Sequence, residues 1–600
     1  MQTLELNPQL PFHRRRIERF LAANGLRYDD MDYYVAIGDE DSDADDIIAG
    51  GGLKGGIIKC VAVADGHKGE MVANTIVSHL ITHAHQEGHQ CVWLFTKPAN
   101  RRLFESLSFR LIAEAPEAVL METGIERSEW SGCHEDSPNY IDAARGSQDG
   151  SCDSNEELHG NRKAGAIVMN CNPFTLGHLH LIEEASRQVT VLYVLPVLAD
   201  CSTFSYIERK AMIEAATAHI ANVCVMEGSE YVVSAATFPT YFLKRLDSAS
   251  DTQMTLDLDL FRRRIAPRLS IGVRFVGSEP TDPLTARYNA IMRRMLPQVV
   301  EVPRLCIDGV PVSASLVRQS LIENRFPSAA RLVPPSTLPY LIAHLATRAM
   351  KAELNTTPKP GLVDCHDNGA HKDMNHQLMA RSIRALHPYF TRLSLMGYAP
   401  TMPTAHDVQQ VGIEAEHAML ASTGGVNTYR GALFAMGLAV VAVAHAVYAH
   451  KPLLATTRKL IMQLAADITS AHGTHGADAI AGCSPKVRLK GALDNAREGY
   501  PQLFDTWLPF YASKDIDNEP FAMHKTLLRI MCDLDDTNIV HRAGLEALND
   551  VKAEALSLLQ DFSETGLEQM NARFIERNVS PGGSADMLAL TVFLYSFSKK

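Results

Sequence analysis

The sequence predicts a multidomain chain with three architectures. These are an α+β domain over residues 1–125, an α/β domain with a parallel sheet over 164–335, and an all-α domain over 336–600, with an acidic linker at 126–163. Three observations predict this. At 600 residues, and roughly 100–200 residues per domain, the chain holds several folding units. Through 164–335, short strand-like apolar runs alternate with helical segments, the pattern of a parallel sheet covered on both faces. Beyond 336, β-branched runs become few and long segments rich in Ala, Leu and Met take over.

Each element follows from its pattern. In the first region MDYYVAIG, GGIIKCVAVA and CVWLFT read as strands, and MVANTIVSHLITHAHQEG and ANRRLFESL as helices. The acids of GDEDSDADD match no EF-hand spacing and read as a solvated hairpin loop. His79, His83, His85 and His89 include i,i+4 pairs but read as a solvated helix face. Residues 126–163 are rich in Ser, Gly, Asp and Glu and lack the apolar surface to offset ordering entropy. The strands of the α/β region are AIVMN, VTVLYVLP, NVCVMEG, IGVRFVG and VVEVPR. The helices of the last region include LIAHLATRAMKAEL, DVQQVGIEAEHAMLAST, ALFAMGLAVVAVAHAVYAH, TTRKLIMQLAADITSAH and DVKAEALSLLQDF, with polar Gly/Pro/Asn clusters between them.

Charge and composition exclude several function classes. Lys and Arg number 57 against 69 Asp and Glu, a net charge of −12. Bulk electrostatics therefore give no attraction for nucleic acid, which is not an expected partner. No apolar run follows the positive residues near the N-terminus, so no secretory signal is expected there. The longest apolar run, Gly431 to Ala444, is shorter than the roughly 18 residues of a membrane span and reads as a buried core helix, so no membrane is expected. Eleven cysteines without a CxxC pair fit a reducing cytoplasm.

The most informative stretch is AIVMNCNPFTLGHLHLIEEA. A strand ends at Asn170, a turn carries Asn172, Pro173 and Phe174, and Thr175-Leu176-Gly177-His178 opens a helix. Free N–H groups and the helix dipole attract phosphate there. His178 can donate to an α-phosphate whose charge grows in the transition state, and Gly177 lets backbone approach a ligand. His180 is either a further phosphate or metal ligand or a surface residue. Ser313, Ser315 and Arg318, in VSASLVR, offer hydroxyls and a cation to β- and γ-phosphates. Gly277 and Glu279 fall at the carboxyl end of a strand, where open α/β sheets bind ligands. Glu279 could hold ribose or Mg²⁺, or shape the turn.

Thr-x-Gly-His after a strand resembles the signature of the adenylyl-transferring nucleotidyltransferase superfamily, whose domain is Rossmann-like, and the serine-rich loop with Arg318 resembles its second signature. GSEYVVSAATFPTYFLK, VRFVGSEP and LTARYNAIM resemble citrate lyase ligase, over residues 1–335. The resemblance implies attack of acetate on the α-phosphorus of ATP, release of pyrophosphate, and acetylation of the prosthetic thiol on the acyl carrier subunit of citrate lyase. The first region resembles the GNAT acetyltransferase fold. Gly66, Gly69 and Met71 stand at its CoA-pyrophosphate signature, with one glycine in place. That departure speaks against acetyl-CoA-dependent transfer; Gly69 ahead of an amphipathic helix suggests docking of the carrier's CoA-like arm instead, the alternative being a vestigial region.

The all-α region carries five polar clusters at loop–helix junctions: TPKPGLVD with Lys359 and Asp364, NGAHKDM with His371 and Asp373, TGGVNT with Gly425 and Asn427, Asp536 to Asn538 followed by Arg542, and SPGGSAD with Gly582, Gly583 and Asp586. One such cluster is ordinarily a helix cap. Five in one domain point to phosphate held by backbone N–H groups and Mg²⁺ held by carboxylates. The clusters resemble triphosphoribosyl-dephospho-CoA synthase over residues 340–600. The implied reaction joins ATP to 3′-dephospho-CoA: the 2′-hydroxyl attacks C1 of the ATP ribose and adenine leaves. In that reading Asp364, Asp373, Asp536 and Asp586 are metal or base carboxylates. Lys359, His371 and Arg542 meet phosphates or the leaving base, and Asn427 and Asn538 orient ribose or water. The family's usual His-Lys after TGGVNT is Tyr429-Arg430 here, and Asn495 stands where a Glu is expected. Two alternatives compete with a two-activity enzyme. A coenzyme adenylyltransferase is opposed by the GNAT-like region. A non-catalytic scaffold is opposed by the intact Thr175/Gly177/His178 and Ser313/Ser315/Arg318 sets.

Overall fold

The structure, a computed structural model, describes residues 2–38, 47–67, 70–124, 164–198, 202–228, 246–279, 282–468, 489–514 and 519–598. Gly69, the acidic loop from residue 39 to 46, the 126–163 linker and residues 229–244 of the GSEYVVSAATFPTYFLK stretch lie outside the described residues. The chain divides into two compact units, Met1–Val312 and Ser313–Lys600.

The first unit holds two sheets. The first is mixed, with seven strands in the order β1-β2-β3-β4-β5-β7-β6. These are β1 (Gln2–Leu6), β2 (Tyr33–Gly38), β3 (Ile47–Lys54), β4 (Ile57–Val63), β5 (Cys91–Thr96), β6 (Arg110–Glu114) and β7 (Val119–Gly124). Only β4 and β5 run parallel, joined at Ile57–Trp93 and Ile58–Leu94. Strand alternation sorts the side chains into two cores. Tyr34 and Ala36 face Ile17, Phe20 and Leu21 of helix α1 (Pro11–Ala23). Val35 and Ile37 face Ile76, Val77 and Leu80 of α2 (Glu70–Gln86) and Phe104 of α3 (Arg101–Ser106). Strand β3 carries the run IIAGGGLK, which shows no strand-like alternation of apolar side chains. Its glycines are required by close packing, because a Cβ at Gly50 would stand 2.4 Å from the Tyr34 hydroxyl oxygen.

The second sheet is parallel throughout, with five strands in the order β10-β9-β8-β11-β12. They are β8 (Ala164–Met169), β9 (Leu192–Pro196), β10 (Val223–Val225), β11 (Ile271–Gly277) and β12 (Val299–Val302), the strands predicted from the apolar runs. Helices α4 (Leu176–Ser186), α5 (Tyr206–Thr217), α6 (Leu246–Leu260) and α7 (Pro283–Met295) separate them. The strand order reverses between β8 and β11, so the carboxyl ends of these strands border a topological switch point, the favoured ligand crevice of such sheets. Helix α6 serves both sheets. Its Leu258 lies in the parallel-sheet core, while Leu256 and Leu260 lie in the mixed-sheet core. The Glu114 N–H donates to the Asp259 carboxylate at 2.9 Å, and Arg264 pairs with buried Glu122 at 2.9 Å.

The described residues of the second unit are helical. Its longer helices are α8 (Ala314–Ile322), α9 (Leu338–Asn355), α10 (His376–Gly397), α11 (Ala405–Thr423), α12 (Arg430–Tyr448), α13 (Leu453–Asp467), α14 (Ala522–Asp533), α15 (Thr537–Gln560), α16 (Glu564–Glu576) and α17 (Gly582–Tyr595). Helix α12 contains the apolar run expected to be a core helix. It is long and apolar enough to cross a membrane, but 72% of it is buried inside the unit. Helices α9, α10, α13 and α17 pack around it.

Candidate active sites

The first site forms where β8 ends. The fully buried guanidinium of Arg209 donates to the Asn170 and Val197 carbonyls, each at 2.8 Å, and so ties the carboxyl ends of β8 and β9 together. Asn172 Oδ1 accepts the Phe204 N–H at 3.1 Å, which anchors the turn. Thr175 is the N-cap of α4, and its Oγ1 accepts the His178 N–H at 3.4 Å. The Thr175 N–H donates back to His178 Nδ1 at 3.0 Å, so the imidazole occupies the place that an acid takes in an ordinary capping box. Phe174, fully buried, stacks on the ring at 5.6 Å.

This geometry selects one tautomer. Nδ1 accepts a backbone N–H, so the neutral ring carries its proton on Nε2. Burial, with Arg304 adding to it, pushes the His178 pKa down to about 4, which keeps the ring neutral near pH 7. A Cβ on Gly177 would meet the Val312 carbonyl oxygen at 3.2 Å, so this glycine lets the first turn of α4 pack on backbone. His180 is partly buried two residues along. Gly277 ends β11, with open space around its Cα. Glu279 is engaged on both oxygens: one accepts the Asp282 N–H at 3.0 Å and the other pairs with Arg304. Ser313 caps α8, its Oγ accepting the Leu316 N–H at 3.2 Å, and Arg318 donates to Ser315 Oγ at 3.0 Å. These last residues open the second unit.

In the second unit the five clusters meet. Asp364 accepts N–H groups from Lys359, His366 and Asp367 at 3.0, 2.7 and 3.1 Å and so shapes the PKPGLVD loop. Lys359, 1% exposed, pairs with buried Glu353. Gly361 has φ +71°, and a Cβ there would stand 2.3 Å from the Val579 carbonyl oxygen, so only glycine fits. His371 Nε2 hydrogen-bonds Ser580 Oγ at 2.7 Å, joining the second cluster to the fifth. Its Nδ1 lies 3.9 Å from the exposed Asp373 carboxylate. Burial and the nearby Arg542 lower the His371 pKa, against a smaller raising effect of Asp373. Arg542 donates to the Ala370 carbonyl and to Asn578, bracing the same loops.

Asp536 caps two helices at once. Its oxygens accept the N–H groups of Asn538, Gly583 and Ser584 at 3.1, 3.2 and 2.7 Å, and the Ser584 hydroxyl at 2.9 Å. Gly582 and Gly583 leave room for this: Cβ atoms there would stand 3.1 Å from Asn538 Nδ2 and 2.9 Å from Asp536 Oδ1. Asn427 Oδ1 accepts the Arg430 N–H at 3.2 Å as α12 begins, after Gly424 and Gly425 in left-handed conformations. Asp586 differs from the other carboxylates. It accepts the Ala432 N–H in the first turn of α12, yet burial and the charges of Glu353 and Asp536 push its pKa well up.

Three residues of these sites carried no sequence signal, Arg304, Gly431 and Tyr500, and Tyr429 stood out in the sequence only as a departure from the family pattern. A Cβ on Gly431 would stand 2.1 Å from Asp586 Oδ2, so the glycine is what admits the acid. Tyr429 and Tyr500 are buried, and their hydroxyls have no hydrogen-bond partner among the described residues. Both phenols have raised pKa values, from burial first, followed by Asp586 for Tyr500 and by Glu353 and then Asp586 for Tyr429. Arg430 pairs with Glu416. Asn495 accepts the Tyr500 N–H through its backbone carbonyl at 2.7 Å.

Residues 164–341 match the family described as citrate lyase ligase C-terminal domain, and residues 339–600 match ATP:dephospho-CoA triphosphoribosyl transferase. A [citrate [pro-3S]-lyase] ligase of Klebsiella pneumoniae is 39% identical over 338 residues, covering 55% of this chain and 92% of that protein. A 2-(5''-triphosphoribosyl)-3'-dephosphocoenzyme-A synthase of Escherichia fergusonii is 36% identical over 282 residues, 43% of this chain and 91% of its own. A probable synthase of Streptococcus mutans is 34% identical, with 95% of its length covered. The chain belongs to both families. In its ligase half Thr175, Gly177, His178, Gly277 and Glu279 lie past the carboxyl ends of β8 and β11, and in its synthase half Asp536 ties the start of α15 to the start of α17.

Proposed function

We propose that the chain is a bifunctional maturation enzyme for citrate lyase, a citrate lyase ligase and a triphosphoribosyl-dephospho-CoA synthase in one polypeptide. The observation that carries the ligase reading is the neutral His178, its Nε2–H available at the N-terminus of α4. In the reaction an acetate oxygen bonds to the α-phosphorus of ATP and the bond to the bridging oxygen of pyrophosphate breaks. His178 Nε2–H donates to the α-phosphate as charge grows there. The carrier's thiol then takes the acetyl group and AMP leaves. The motif assigns the pyrophosphate to Ser313, Ser315 and Arg318. The parallel β4–β5 pair in a mostly antiparallel sheet supports a GNAT-like reading of the first region, with open space around Gly66 where a CoA-like arm would dock.

The synthase reading rests on distant clusters tied together: the first to the second through Gly361 and Ala370, the second to the fourth and fifth through Arg542 and His371, and the fifth to the start of α12 through Asp586. Among the described residues no group of three or more His, Cys, Asp or Glu is arranged to hold a metal by protein alone. Mg²⁺ ordinarily takes one or two carboxylates and fills the rest of its shell with water and phosphate. Asp586 fits that demand, being crowded by like charge, and so does exposed Asp373. Asp364 and Asp536 do not fit, because their oxygens are committed to N–H and O–H donors. When bound with ATP, Mg²⁺ neutralises the triphosphate. The protein's own part is to set the ribose beside Asp586, whose carboxylate stabilises the oxocarbenium-like state. His371, neutral near pH 7, accepts the proton of the attacking 2′-hydroxyl, and the departing adenine takes up a proton in its place. Free cysteines among the described residues accord with a reducing cytoplasm.

Two incubations test both readings. ATP, acetate and thiol-form carrier should give AMP, and ATP with 3′-dephospho-CoA should give adenine. Absence of either product removes the corresponding activity.

A further inference from the structure

Adenylyl transfer at the ligase site needs more than His178. A neutral imidazole donates a hydrogen bond but brings no charge, while the α-phosphate gains negative charge as acetate attacks. The described part of the site contains a cation that the sequence did not announce. Arg304 follows the carboxyl end of β12, at the same end of the sheet as the Thr175–His178 turn. Its N–H donates to Ser278 Oγ at 3.2 Å, just beyond the end of β11. Its guanidinium forms an ion pair with Glu279.

Glu279 is built to aim that guanidinium. Its side chain is 3% exposed, and its second oxygen is fixed by the Asp282 N–H at 3.0 Å. It therefore cannot turn away to hold ribose or metal. Arg304 itself stays 29% exposed, and among the described residues its guanidinium has Glu279 as its partner. An Arg fork offers five donors, so this pairing leaves others for an incoming oxyanion. The guanidinium is also close enough to act on His178, where it opposes protonation of the ring.

We propose that Arg304 is a catalytic residue that meets the α-phosphate of ATP beside His178, and that Glu279 is the positioning residue that holds it there. The proposal rests on the ligase reading above. The division of labour is simple: His178 supplies a neutral, directed N–H, and Arg304 supplies the charge.

The test uses the full chain and the variants Arg304→Gln, Arg304→Lys and Glu279→Gln. Arg304→Gln should lower kcat/KM for ATP in AMP formation about 100-fold, leave the acetate KM within about threefold, and leave adenine release unchanged. Arg304→Lys should recover part of the loss. Glu279→Gln should lower kcat with little change in the ATP KM. Because the synthase half also takes ATP, binding is read at the His178 ring resonance by NMR. The ATP concentration that shifts it should rise in Arg304→Gln, and its titration midpoint without ATP should move up. Unchanged ATP parameters with an unchanged His178 resonance would overturn the proposal, as would an effect confined to acetate. If Arg304→Gln fails to fold, Arg304→Lys decides by the same readouts. If the wild-type chain makes no AMP, the ligase reading fails on its own. The ATP response of His178 still tests Arg304, and an equal response in wild type and variant overturns it.

Discussion

At His178 one backbone N–H decides where the proton sits. The Thr175 N–H holds Nδ1, so Nε2 carries the hydrogen, and burial with Arg304 keeps the folded pKa near 4 against an ordinary 6.5. The folded chain thus resists a proton that the unfolded chain accepts. Stability from this residue is present above about 6.5 and is lost as pH falls toward about 4. An NMR titration should place the His178 midpoint near 4. His178→Ala should reduce AMP formation by about 100- to 1,000-fold and spare adenine release. Asp586 has the opposite sign. Its raised pKa means that ionisation destabilises the substrate-free fold, so its contribution is lost as pH rises through the folded value. Asp586→Asn keeps an acceptor for the Ala432 N–H and removes the repulsion. It should raise Tm by roughly 2–4 °C for each kcal/mol relieved while abolishing adenine release. His178 and Thr175 were legible because strand, turn and helix are adjacent in sequence. Arg304 and Tyr500 were not, because only tertiary contact gives them meaning.

Elements show the same division. The five strands of the parallel sheet declared themselves by apolar runs, since both their faces are covered. Strand β3 did not, because close packing replaced its side chains with glycine. Helix α10 carries Pro388 inside it, and α15 turns at Gly544 with φ +88°, so both break the signals a helix normally gives. The polar clusters were legible as a group but not in role. Asp536 and Asp364 stood in the sequence as metal or base carboxylates; Asp536 has the geometry of a helix cap and Asp364 that of a loop brace. Asp536→Ala would leave three N–H groups and one hydroxyl without an acceptor. It should cost about 2–4 kcal/mol in urea unfolding. Adenine release should fall with the folded fraction, and AMP formation should persist.

On the scale of the whole molecule, the boundary between compact units falls at Val312/Ser313, while the family matches meet near residue 340. Sequence could place the change in composition but not the exact seam, because compactness is set by contacts rather than by residue type. The net charge of −12 makes local cations necessary for anionic substrates. Arg304 and Lys359 sit beside Glu279 and Glu353, so each half holds its cation with an acid. Gly431→Ala would drive a Cβ to 2.1 Å from the Asp586 carboxylate. It should lower Tm in calorimetry and stop adenine release, with AMP formation retained at temperatures where the variant chain stays folded. Loss of both activities there would argue against independent halves.

The Gly431–Asp586 contact also couples the inheritance of two positions. While the acid is kept, no descendant can place a side chain at 431 without disturbing it. A lineage that no longer needs the second reaction can lose the acid freely, and only then does 431 become free to drift. A side chain at 431 in a descendant sequence therefore marks an Asp586 that has been moved or lost.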